Sequence, residues 1–142
     1  MIVASQIENH FTSLASSKSN ELRKLHDIIL SVNPTVPLWF DNGINEEGKI
    51  VTNPTIGYGN LELQYANGSS RTFFQIGICS TSTGISIYII GLKDKQHLKN
   101  TFSEKIGKAS ITGYCIKFKT LKDIHESALK ELVSFGFSDR KN

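Results

Sequence analysis

The sequence predicts an α+β protein, a two-layer sandwich with helices over one face of a mainly antiparallel sheet. Three observations carry that prediction. The stretch Gly107 to Leu132 changes its apolar period midway, from two to that of a helix. Between Leu61 and Ile90 apolar residues alternate with polar ones in segments separated by turn formers. Two amphipathic helical stretches precede all of this. The resulting order, ααβββ(β)αβα, links its strands by hairpins and not by the helical crossovers of a parallel sheet.

Taken from the N-terminus, Val3, Ile7, Phe11 and Leu14 recur at helical spacing, so residues 3–14 read as a first helix. The polar run Ala15–Asn20 breaks it. Ser19 then serves as N-cap for a second helix, Glu21 to Val32, with the stripe Leu22, Leu25, Ile28, Ile29 and Val32. Asn33-Pro34 ends that helix, because a residue before proline avoids the α region. Leu38-Trp39-Phe40 predicts an edge strand or the start of a strand, and Asp41–Lys49 a polar surface loop. In Asn53–Asn60, Gly57 and Gly59 signal a bend, a bulge or a close backbone approach.

Leu61, Leu63 and Tyr65 alternate up to Asn67-Gly68, the dipeptide that type I′ hairpin turns prefer. The return strand runs from Arg71 to Cys79, with Phe74, Ile76 and Ile78 on one face and Phe73, Gln75 and Cys79 on the other. Ile85, Ile87 and Ile89 alternate with Ser86, Tyr88 and Ile90 in the next strand. A third helix spans Asp94 to Ile106 and ends on Gly107, flanked by Lys105 and Lys108. The last strand sets Tyr114, Ile116 and Phe118 against Cys115, Lys117 and Lys119. The last helix starts at Leu121 and buries Ile124, Ala128, Leu129, Leu132 and Val133. Thr120 with Asp123, or Asp123 with Glu126, supplies its first-turn acceptor.

The 142 residues fit one domain, 1–142, large enough to bury roughly two thirds of its unfolded surface without disulfides. No apolar run reaches the ~20 residues of a membrane span. The start, MIVASQIENHF, lacks the basic region of a secretory signal and carries Glu8. Cys79 and Cys115 are not spaced as metal ligands, and they pair only if their strands are neighbours; reduced thiols in the cytoplasm are the expectation. The net charge of +3 is uneven. Residues 1–92 hold 5 basic and 7 acidic side chains (5 − 7 = −2), and residues 93–142 hold 11 and 6 (11 − 6 = +5). A basic C-terminal third attracts anions, or else keeps a sheet edge soluble.

Asn53-Pro54-Thr55-Ile56-Gly57-Tyr58-Gly59 and the Gly107–Leu132 stretch together resemble the YdhG-like bacterial domain family, a family of unknown function. Its members share a proline-containing aromatic segment in mid-chain. They end on a lysine- and glycine-rich approach to a strand, then a leucine-punctuated helix. Gly107-Lys108, Gly113, Cys115-Ile116-Lys117, Leu121, Asp123, Leu129 and Leu132 match that ending. The first helices and Ile87-Tyr88-Ile89 fit as well, so the resemblance spans nearly the whole chain. It implies a frataxin-like sandwich and no accepted catalytic residues, and one relative is regarded as an iron chaperone for iron–sulfur assembly. An iron-donating surface needs clustered oxygen ligands. Here the first two helices offer only Glu8, Glu21 and Asp27, interleaved with Lys18, Arg23 and Lys24.

The candidate sites are few. His10, His26, His97 and His125 lie far apart on predicted helices with no partner four residues on, so no metal site is predicted. Cys115 beside Lys117 reads either as an activated thiolate or, better, as a small apolar filler. Gly107-Lys108-Ala109-Ser110 lacks the upstream glycine and preceding strand of a phosphate loop. Glu46-Glu47 is a solvated loop pair. One composite remains: Trp39, Phe40, the bend carrying Tyr58, and Lys108, Lys117 and Lys119 bordering one cleft at the end of the sheet. The alternative makes Trp39 and Tyr58 packing residues and the lysines solubilising ones. The expected role is a non-enzymatic, cytoplasmic accessory or binding protein without cofactor, membrane segment or catalytic residue. Its partner is a small anion or a protein, with iron handling implied by the resemblance. Nucleic acid, bound through the basic third, is the alternative.

Overall fold

Isoleucines at alternate positions set the architecture. Ile76 and Ile78, then Ile85, Ile87 and Ile89, then Ile116 all turn to one side of a sheet and are buried there in a core shared with the helices. The computed structural model describes residues 2–138. Helices α1 (Val3–Ser13) and α2 (Ser16–Val32) form the opening hairpin. Strands β1 (Leu38–Asp41), β2 (Thr55–Tyr58), β5 (Ile76–Thr81), β6 (Gly84–Ile89), β7 (Ser110–Thr112) and β8 (Cys115–Phe118) build a sheet in the order β1-β2-β5-β6-β8-β7. Every neighbouring pair is antiparallel. β3 (Leu61–Gln64) and β4 (Ser70–Phe73) pair only with each other.

The helices α3 (His97–Phe102) and α4 (Glu126–Phe137) complete the covering layer. α2 and α4 lie against each other and against β5, and α1 rests on β1. α4 sits so close to the sheet that a Cβ at Gly136 would lie 2.7 Å from Cδ1 of Ile76. The predicted sandwich, with its closing helix docked, is therefore what the chain forms. Among the described residues no helix is long and apolar enough to cross a membrane.

Several element boundaries differ from the sequence reading, each for a tertiary reason. The second helix begins at Ser16, a turn before the expected Ser19 cap; Ser19 lies inside it, buried, accepting from Arg23 Nε at 3.4 Å. The return strand does not run from Arg71 to Cys79. It breaks at Gln75, whose N–H donates to Tyr58 O and whose carbonyl accepts from Ile90 N, both at 2.9 Å. Phe74 consequently leaves the Ile76–Ile78 face and folds over the other one. The β3–β4 connection spans Tyr65–Ser69, with Gly68 at φ 87° and Asn67 at negative φ, so it is not the type I′ turn expected of Asn67-Gly68.

The third helix is short: Asp94 Oδ1 accepts from Gln96 N in a turn before His97, and regular structure ends at Phe102. The final helix is likewise delayed. Leu121–Asp123 forms one 3-10 turn, and Thr120 Oγ1 donates to Asp123 Oδ2 at 3.0 Å. The two side chains bond each other, and neither Thr120 before this turn nor His125 before the final helix makes the expected side-chain cap. The backbone then extends, because Lys108 N donates to Asp123 O and His125 N to Ile106 O. That bridging holds Gly107 against Ile124 at φ 106°, a conformation glycine tolerates. The expected stripe from Ile124 to Val133 is nonetheless buried. Tyr114 does not alternate inward; it sits in the β7–β8 turn, exposed, and Ser110–Thr112 is a strand the sequence reading did not separate.

Candidate functional site

The side chains alternating with the isoleucines define the other face of the sheet. Register places Cys79 opposite Ser86, Ser86 opposite Lys117, and Lys117 opposite Ser110, one row across β5, β6, β8 and β7. A second row runs Trp39, Gly57, Gly77, Tyr88, Cys115 and Thr112. Small side chains dominate both rows. Where the two glycines face each other, the ring of Phe74 fills the space: a Cβ at Gly57 would lie 2.5 Å from it, and one at Gly77 2.6 Å. Covering strand glycines with an aromatic ring restores the packing they forgo. Trp39 and Phe73 stand around that ring, and β3–β4 extends from it.

Beyond Phe74 the face is hollow. A cavity of about 600 Å³ lies over β6, β8 and β7, bordered by Lys108, Lys117 and Lys119, by the hydroxyls of Ser86, Tyr88 and Ser110, and at one end by Asn53. Among the described residues no acidic side chain lines it. Among the described residues no carboxylate forms an ion pair with any of these three lysines, whereas Lys105 and Lys130 are held by Glu131 and Glu126. An uncompensated cluster of ammonium groups around a concave surface raises the local concentration of anions.

The two thiols beneath are held toward their neutral form. Burial pushes both Cys79 and Cys115 above the usual thiol range, and the nearby Lys117 lowers them less than burial raises them. The Tyr88 phenol is raised too, by burial first and then by its contact with Cys79 Sγ at 3.6 Å. Cys79 and Cys115 stand on β5 and β8 with β6 between them, and both are free. Each behaves as a small filler.

The predicted composite thus divides into three places. Lys108, Lys117 and Lys119 do come together. Trp39 stands on the same face at the far end, beyond Phe74, its Nε1 donating to Gly59 O at 2.9 Å, and borders a separate cavity of about 370 Å³ with Phe40 and Arg71. Tyr58 points the opposite way: its hydroxyl is 2.7 Å from His26 Nδ1 within the core, and burial lifts its phenol well above the ordinary value. Ser86, Tyr88 and Ser110 were not singled out in the sequence, although alternation with Ile85, Ile87 and Ile89 had already put Ser86 and Tyr88 on the non-isoleucine face.

The donor set for iron is a poor fit. Among the described residues there is no group of three or more His, Cys, Asp or Glu side chains placed to hold a metal ion. Glu8 is engaged by the Arg23 guanidinium at 2.7 and 2.9 Å, and Glu21 accepts from Leu121 N at 2.7 Å. His97 stacks on Phe135, and His125 precedes the first turn of α4. Fold and cavity together define an α+β sandwich whose helix-free sheet face carries a cationic basin. Compared with protein-family models, with curated proteins and with solved structures, the chain matches none.

Proposed function

We propose that this is a non-catalytic binding protein, of the YdhG-like family by resemblance, that holds a small anion in the lysine basin and acts in the cytoplasm. The observation that carries the reading is the convergence of Lys108, Lys117 and Lys119 on one cavity that no carboxylate of the described residues lines. Its volume lies within the roughly 300–1,000 Å³ usual for small-ligand sites. The concavity favours a compact ligand over a nucleic-acid strand, which needs an extended positive groove. The reduced, buried thiols accord with a reducing compartment.

Calorimetric titration of pyrophosphate into the protein at two salt concentrations tests this. Saturable binding that weakens as salt rises is expected, because ammonium–phosphate attraction is screened. Heat indistinguishable from dilution at millimolar pyrophosphate would remove the proposal.

A further inference from the structure

We infer, building on the anion-binding reading above, that the ligand is a phosphate monoester of a flat ring compound, with its phosphate at Ser110 and its ring against Tyr88. Register supplies the first half. Ser110 faces Lys117 directly across β7 and β8; Lys108 and Lys119, just outside the two strands, line the same cavity. Ser110 and the three lysines therefore border one cavity, with Lys117 its direct cross-strand neighbour. Ammonium ions are compact point charges that suit the several terminal oxygens of a phosphate, whereas planar carboxylates are matched best by arginine forks. Among the described residues no arginine lines the cavity.

The second half follows from what the phosphate leaves empty. A lone phosphate fills a small part of about 600 Å³, and the aromatic side chain of Tyr88, on the sheet face opposite the isoleucines, borders the space that remains. Tyr88 lies two residues from Ser86 along β6, about 7 Å from the lysine row at strand spacing. Its ring is buttressed by Tyr114, with centroids 6.0 Å apart and planes tilted by 38°. A planar group stacked there reaches the phosphate position through a short linker, as in a nucleoside monophosphate.

Titration of AMP, ribose 5-phosphate, inorganic phosphate and citrate, with amide NMR shifts locating each, distinguishes the parts. AMP is expected to bind about tenfold or more tightly than ribose 5-phosphate, the usual effect of stacking one base. Both phosphate esters should outcompete citrate and shift the amides of Ser86, Tyr88 and Ser110. Tyr88→Leu should erase the preference for AMP over ribose 5-phosphate, and a urea midpoint measured beside the titration shows that the variant is folded. Equal affinity for AMP and ribose 5-phosphate would overturn the ring assignment and leave anion binding standing. Citrate binding as tightly as the phosphates would overturn the phosphate assignment alone. Shifts confined to residues outside the basin would overturn both halves, and no binding of any of the four would remove the anion reading with them.

Discussion

The two faces of one sheet have been given opposite tasks. On β6, Ile87 is fully buried beneath the helices, and its neighbour Ser86, also buried, turns to the basin floor. On β8, Ile116 faces the core and Lys117 the cavity. β-branched side chains at every second position interlock with α2 and α4 and supply stability. Small or cationic residues at the intervening positions leave a hollow that a packed face would have filled.

That contrast predicts how unequal substitutions one residue apart should be. Ile87→Ala should lower unfolding free energy by about 2–5 kcal/mol, the usual result of emptying a packed core site. Lys117→Gln on the open face should stay within about 0.5 kcal/mol. Urea midpoints measure both, and comparable losses would erase the proposed division. At the capped end of the open face, Gly57→Ala should cost about 1–3 kcal/mol by overpacking, because the new methyl group meets the Phe74 ring near its attachment to the backbone. Trp39 emission should shift with it, since Trp39 packs edge-on to that ring.

Smaller effects come from the polar contacts on the helix side. Tyr58→Phe removes the partner of His26 Nδ1 and should cost about 1 kcal/mol. Burial is the main influence holding His26 below the ordinary imidazole value of 6.5, with Asp27 and Glu8 opposing it and Arg23 adding to it. His10 is lowered by burial as well. The unfolded chain therefore takes up these protons first. Stability is complete above pH 6.5 and falls as the pH drops through that value toward the lower folded pKa values. Unfolding midpoints at pH 7.5 and 5.5 should show the decline, and replacing His26 should flatten it.

Much of the helix-covered face was legible in the chain because it obeys local periods. The 3–14 stripe, the isoleucine alternation and the burial from Ile124 to Val133 all appear where the spacing put them. The failures are long-range. Nothing near Gln75 announces that its N–H will be taken by Tyr58, and nothing near Ile124 announces its pairing with Gly107. The same holds for the site. Lys117 and Lys119 share a strand face by simple alternation, so their meeting was foreseeable, and Tyr58 could have been assigned to the core by its step of two from Ile56. The separation of Trp39 from the lysines was not, since it depends on Phe74 settling over glycines from two different strands.

The central claim, that the helix-free face binds and the helix-covered face stabilises, is tested most directly by one titration. Inorganic phosphate is titrated into the variant Lys108→Gln, Lys117→Gln, Lys119→Gln, prepared to the same urea midpoint as the parent. The account predicts at least tenfold weaker binding than the parent shows under the same conditions; unchanged affinity would place the anion elsewhere and contradict it.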